Sequence, residues 1–162
     1  MSVVADIVES WLRPARVLRR HLSRGRSEPF AFSLLVVFLL VSLIAQWPAA
    51  ARVSALDPNL PISPQMLPFA MGGLAAIPFL YALAALGQLV ARAFGGQGGW
   101  YEGRIALFWA LATTSPAVLL LGLVAGLVGP GLQLTAVGLL TSAAFLVFWT
   151  INLREAARRH AA

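Results

Sequence analysis

The stretch FAFSLLVVFLLVSLIAQW, Phe30 to Trp47, carries no charged residue, and its polar groups are Ser33, Ser42 and Gln46 alone. Wound as an α-helix it is roughly 27 Å long, close to the thickness of a bilayer's hydrocarbon core. Trp47 stands where an interfacial aromatic belongs, and Pro48 is expected to end the helix. Small residues follow at Ala49 to Ala51, so a cleaved signal peptide is the competing reading. The long basic leader ahead of the stretch and further apolar stretches behind it favour an uncleaved first span.

Working outward, three more apolar stretches lie at about 67–94, 105–128 and 134–153. All twelve basic residues are arginines, and they occupy alternate gaps. Arg13, Arg16, Arg19, Arg20, Arg24 and Arg26 precede the first stretch; Arg92 and Arg104 flank the second gap; Arg154, Arg158 and Arg159 follow the fourth. Only Arg52 breaks the pattern. This is the positive-inside distribution of a four-span protein with both termini in the cytoplasm. The expected architecture is all-α: a four-helix transmembrane bundle over 30–153, a basic amphipathic segment over 1–29 and a basic tail over 154–162.

Composition agrees. Of the 162 residues 59% are hydrophobic and 11% charged, too few charges to cover a water-exposed surface. The net charge of +6 therefore points to anionic lipid at a membrane face and not to nucleic acid, since the arginines sit at span boundaries and form no nucleic-acid motif. There is no cysteine, which excludes disulfides, thiol catalysis and cysteine metal sites. Lysine is absent too, a bias of GC-rich bacterial genomes, and the expected location is a bacterial cytoplasmic (inner) membrane.

In the leader, Val4, Ile7, Val8, Trp11, Leu12, Leu18 and Leu22 recur at roughly helical spacing. Pro14 disfavours helical geometry at Arg13, which predicts two short helices or one with a break. Such a segment can lie in the headgroup layer, with Trp11 as anchor and Arg13, Arg16, Arg19, Arg20, Arg24 and Arg26 reaching lipid phosphates. A solvated basic tail is the plain alternative.

Residues 48–66 hold Pro48, Pro58, Pro61 and Pro64, with Pro68 beyond, and are expected to form an extended, stiff connector. Pro68, Gly72, Gly73 and Pro78 suggest a kink, lead-in helix or tilt in the second span. Gln88, its deepest clearly polar side chain, is expected near water at the cytoplasmic end. Gly95, Gly96, Gly98 and Gly99 surround Gln97 in a tight reversal, with Trp100 and Tyr101 as interfacial anchors. Their spacing does not match a nucleotide loop.

Thr113, Thr114, Ser115 and Pro116 interrupt the third span; the hydroxyls can bond carbonyls that the proline frees, or line a polar path. Gly122 and Gly126, with Gly138 and Ser142 in the fourth span, are candidates for close helix packing within the chain or between copies, so a homo-oligomer stays open. His21 and His160 look isolated and surface-placed, and no metal or cofactor site is expected.

Trp11-Leu12-Arg13-Pro14-Ala15-Arg16 ahead of the first span and Gly95-Gly96-Gln97-Gly98-Gly99 after the second, with a Pro-rich outer loop and short interrupted spans, resemble the bacterial branch of the YIP1 family of small multi-spanning membrane proteins. Eukaryotic members have five spans and take part in vesicle trafficking, including contact with prenylated small GTPases. Four spans here depart from that pattern. The resemblance implies fold and location, and carries no catalytic residues.

Catalysis on lipid would need a carboxylate, histidine or serine–base pairing, and Glu102 with Arg104, read as an exposed loop salt bridge, is the only candidate. The sequence therefore favours a non-enzymatic protein that organises lipid or protein partners at the cytoplasmic face. A small transporter or channel subunit is the alternative.

Overall fold

The computed structural model describes residues 3–158 and contains six α-helices. Two are short, α1 (Val3–Leu12) and α2 (Pro14–Ser23). Four are long enough and apolar enough to cross a membrane: α3 (Glu28–Leu56), α4 (Ile62–Ala93), α5 (Trp100–Leu127) and α6 (Leu132–Ala157).

Pro14 makes the break between α1 and α2. It occupies the first turn of α2, where its missing N–H costs nothing, and Arg13 before it leaves helical geometry at φ −142°, ψ 62°. Ser27 starts α3 by accepting a hydrogen bond from the Phe30 amide at 3.4 Å.

Pro48 does not end α3. The helix runs through it to Leu56, and α4 starts at Ile62, so the extended connector expected over 48–66 shrinks to residues 57–61. Prolines are tolerated inside membrane helices because neighbouring helices supply the missing contacts. Here Gly126 of α5 abuts Pro48, and a Cβ on Gly126 would lie 2.6 Å from the proline carbonyl carbon. In the short connector, Asp57 accepts from the Asn59 amide at 2.9 Å and Pro61 caps α4.

Helix α5 is the centre of the bundle, packed against α3, α4 and α6. Its enclosed half carries Ile105, Leu107, Phe108, Trp109 and Ala112. Helices α3 and α5 run parallel, in register along their whole length. Tyr101 meets Ser27, Arg104 meets Glu28, Gly122 meets Ala45, and the Arg52 guanidinium donates to the carbonyls of Gly126 and Leu127 at 3.1 and 3.2 Å. A cation on terminal carbonyls complements the negative end of the α5 dipole. Leu40, Leu74, Phe79, Leu139 and Leu140 stay exposed on α3, α4 and α6, as side chains facing lipid do.

Candidate functional site at the arginine-rich end

The leader is a helical hairpin docked on the bundle. Helix α1 pairs antiparallel with α2 through charge: Arg20 donates to Asp6 Oδ1 at 2.6 Å and to Glu9 Oε2 at 2.9 Å, and Arg16 lies 4.0 Å from Glu9. Val17, Leu18 and Leu22 of α2 join the core, and Arg19 reaches Glu155 of α6 at 3.0 Å.

Helix α1 turns two polar side chains inward, with Ile7 against the core beside them, and leaves other apolar side chains outside. Asp6 is 1% exposed and Ser10 is fully buried, whereas Val4, Val8 and Leu12 are exposed, Leu12 to 84%. Two indoles hold it so. Trp109 of α5 donates Nε1–H to Ser10 Oγ at 3.0 Å, and Trp11 donates Nε1–H to the Thr113 carbonyl at 3.1 Å. Trp11 also sets its edge against Phe148 of α6, centroids 5.2 Å apart.

His21 is not surface-placed. It is 3% exposed, stacked on Phe30 at 5.4 Å and against Trp109 at 4.2 Å, with Nε2 3.3 Å from Asp6 Oδ2. Burial pushes its pKa down to about 4; Asp6 opposes that shift, while Arg24 and Arg20 add to it. The imidazole is therefore neutral at pH 7. His160 and Arg159 lie outside the described residues.

The arginines expected to reach lipid thus divide. Arg20 is taken by Asp6 and Glu9, Arg19 by Glu155, and Arg26 leans toward Glu102 at 3.5 Å. Arg13, Arg16 and Arg24 remain outward, with Arg16 only loosely paired.

Glu102 and Arg104 do not pair with each other. Glu102 is buried and faces Arg26, while Arg104 forms a close ion pair with Glu28. Neither arrangement places a base beside a nucleophile. Among the described residues no three His, Asp or Glu side chains gather where a metal ion could be held.

The glycine reversal is closed. Gly95 takes φ +85°, which only glycine adopts readily. The amides of Gly95, Gly96 and Gln97 bond the carbonyls of Arg92, Ala91 and Ala157, so they are not offered to an anion. Gly98 offers its carbonyl to Gln88 Nε2 at 2.5 Å and to Arg92 at 3.2 and 3.3 Å. Gln88, expected near water, is fully buried instead, because the loop folds back over it. A Cβ on Gly99 would sit 2.5 Å from a Glu102 carboxylate oxygen. Tyr101 is buried with its hydroxyl on the Ser27 carbonyl, and Trp100 lies under Arg92 at 4.7 Å.

In α5 the hydroxyls of Thr114 and Ser115 bond back to Ala110 and Leu111 of their own helix, and all of Thr113, Thr114 and Ser115 are buried. Gly122 and Gly126 lie against the α3 backbone at Ala45 and Pro48. Gly138 makes ordinary contact with Leu121 at 3.8 Å, and Ser142 is exposed. Pro14 was the sequence's hint of a two-helix leader, and Asp6 and Glu9 supply the charges that close it into a hairpin. Nothing in the apolar run around Trp109 marks it as the docking surface.

A family profile described as the Yip1 domain matches residues 8–162. None of the curated proteins compared and none of the solved structures compared matches the chain.

Proposed function

The chain belongs to the Yip1 family, and we propose that it is a non-enzymatic membrane protein that organises lipid or partner proteins at its arginine-rich face. We place that face and both termini in the cytoplasm, and the protein in a bacterial inner membrane, on the alternation of the arginines.

The observation that carries the reading is the exposed apolar row of α1. Its exposed side chains Val4, Val8 and Leu12 follow one another at i, i+4 and i+8, while Asp6 and Ser10 turn inward. Apolar area left in water forgoes roughly 25 cal/mol per Å², so this orientation suits a helix whose outer side meets the boundary of headgroups and acyl chains. Arg13 and Arg24 are exposed on the same hairpin without an ion-pair partner among the described residues, available to lipid phosphates or an acidic partner.

A transporter or channel subunit would need a polar path past Thr113 to Ser115. Burial of that cluster, the bonds of Thr114 and Ser115 within α5 and the indole of Trp11 on the Thr113 carbonyl favour the organising role.

The native chain has no cysteine, so Leu12→Cys can carry a single environment-sensitive fluorophore. In liposomes the label is expected to be quenched by lipids bearing a spin label high on the acyl chain. A label reporting bulk water would sink the interfacial placement of α1.

A further inference from the structure

The ends of α4 and α6 border a groove of about 880 Å³, away from the ion pairs of the hairpin. Val90, Phe94 and Leu153 give it apolar walls, and Arg154 and Arg158 supply its charge. The glycines of the reversal after α4 leave part of it unfilled, and Gln97 lines it beside them. Gly96 is pressed against Ala91 and Ala157, and a Cβ built on Gly95 would meet nothing within 4 Å.

Charge in the groove is one-sided. No carboxylate lines it, and Glu155, between the two arginines in sequence, is turned to Arg19. Arg154 in the last turn of α6 and Arg158 at its C-cap are exposed, four residues apart, with no ion-pair partner among the described residues. Like charges at that spacing repel each other, and an anion between them removes the repulsion. Two helix C-termini converge nearby and their partial negative charges oppose an anion. The amides of Gly95, Gly96 and Gln97 cover three of those carbonyls, which leaves the guanidiniums dominant.

The apolar walls are continuous with exposed Leu86 and Leu89 of α4 and Leu146 and Val147 of α6, surfaces that acyl chains can cover. We propose that the groove seats an anionic phospholipid of the surrounding leaflet, its phosphate between Arg154 and Arg158 and its chains along Val90 and Phe94. This rests on the reading that the arginine-rich end lies in a headgroup layer.

The test is native mass spectrometry of the full chain in neutral detergent with equal phosphatidylglycerol and phosphatidylcholine. The native protein is expected to retain phosphatidylglycerol preferentially. Arg154→Gln with Arg158→Gln should weaken that retention by roughly thirtyfold, given about 1 kcal/mol per basic side chain near anionic lipid. Arg13→Gln with Arg24→Gln should leave most of it. Val90→Trp, which fills the groove without changing charge, should also weaken it and guards against a folding defect in the arginine variant. Retention unaffected by Val90→Trp, or reduced equally by both arginine pairs, would overturn the groove. Either result leaves the placement of α1 to stand or fall by quenching at residue 12. Displacement of the lipid by inorganic phosphate would overturn the lipid assignment in favour of a free-anion site.

Discussion

Trp11 donates its indole N–H to the main-chain carbonyl of Thr113 across 102 residues of sequence, in the stretch of α5 just before Pro116, through which the helix continues. One turn earlier, Trp109 donates to Ser10 across 99 residues. Each helix thus supplies one indole and one acceptor to the other, and α1 cannot rotate about its axis without losing both bonds.

Trp11→Phe keeps a ring against Phe148 but removes the donor to the Thr113 carbonyl. Docking of the hairpin is expected to weaken by about 1–2 kcal/mol. Hydrogen exchange of residues 3–23 should quicken about tenfold or more, with α5 otherwise unchanged. Protection identical to the native chain would show that the bond contributes nothing.

Gly122 and Gly126 let the backbones of α3 and α5 touch, so a methyl there has nowhere to go. Gly122→Ala should destabilise the bundle by about 1–3 kcal/mol, the range for overpacking. Gly138→Ala, whose nearest neighbour is a side-chain end 3.8 Å away, should fall within about 0.5 kcal/mol of native. Thermal unfolding in detergent ranks the two, and equal shifts would contradict the packing.

His21 titrates near 4 when the hairpin is docked, against 6.5 for an ordinary histidine. The undocked hairpin therefore binds more protons between those values, and docking weakens as pH falls from about 6.5 to about 4. Above that window this group adds no pH dependence. Hydrogen exchange of α1 and α2 followed against pH should show the loss, and His21→Phe should flatten it. A native profile that is flat over the window would contradict a buried neutral imidazole.

Asp6 is buried between Arg20 and His21, whereas Arg19 meets Glu155 at a surface where the arginine side chain is largely exposed. Asp6→Ala should release the hairpin to protease. Glu155→Gln should cost no more than about 1 kcal/mol and leave protease resistance nearly native. Limited proteolysis within residues 3–27 separates the two, and the reverse order would mean that α2 is held by its surface pair.

The four apolar helices were legible because a bilayer demands long uncharged runs. Helix ends were less so. Pro48 reads as a stop, yet it is accommodated by Gly126, a residue 78 positions away whose relevance no local pattern shows. The leader's break at Pro14 was legible from steric rules alone. Its orientation was not: apolar periodicity points the Val4, Val8 and Leu12 side toward a surface but cannot say whether protein or lipid provides it. Gln88 and His21 were misplaced for a related reason. Burial of a polar side chain depends on a partner brought by another segment, here the Gly98 carbonyl in one case and Trp109, Phe30 and Asp6 in the other.

The span between Trp11 and Thr113 also fixes an order of events during synthesis. The hairpin leaves the ribosome first, but its two acceptor-and-donor partners on α5 are made about a hundred residues later. At roughly 5–20 residues per second, that is a delay of about 5–20 s. Throughout it, Asp6 already has Arg20 and His21 of its own hairpin, but Ser10 lacks the Trp109 indole, while Val4, Val8 and Leu12 are already available to whatever apolar phase is nearby. The nascent leader is therefore exposed before the bundle that holds it has been made.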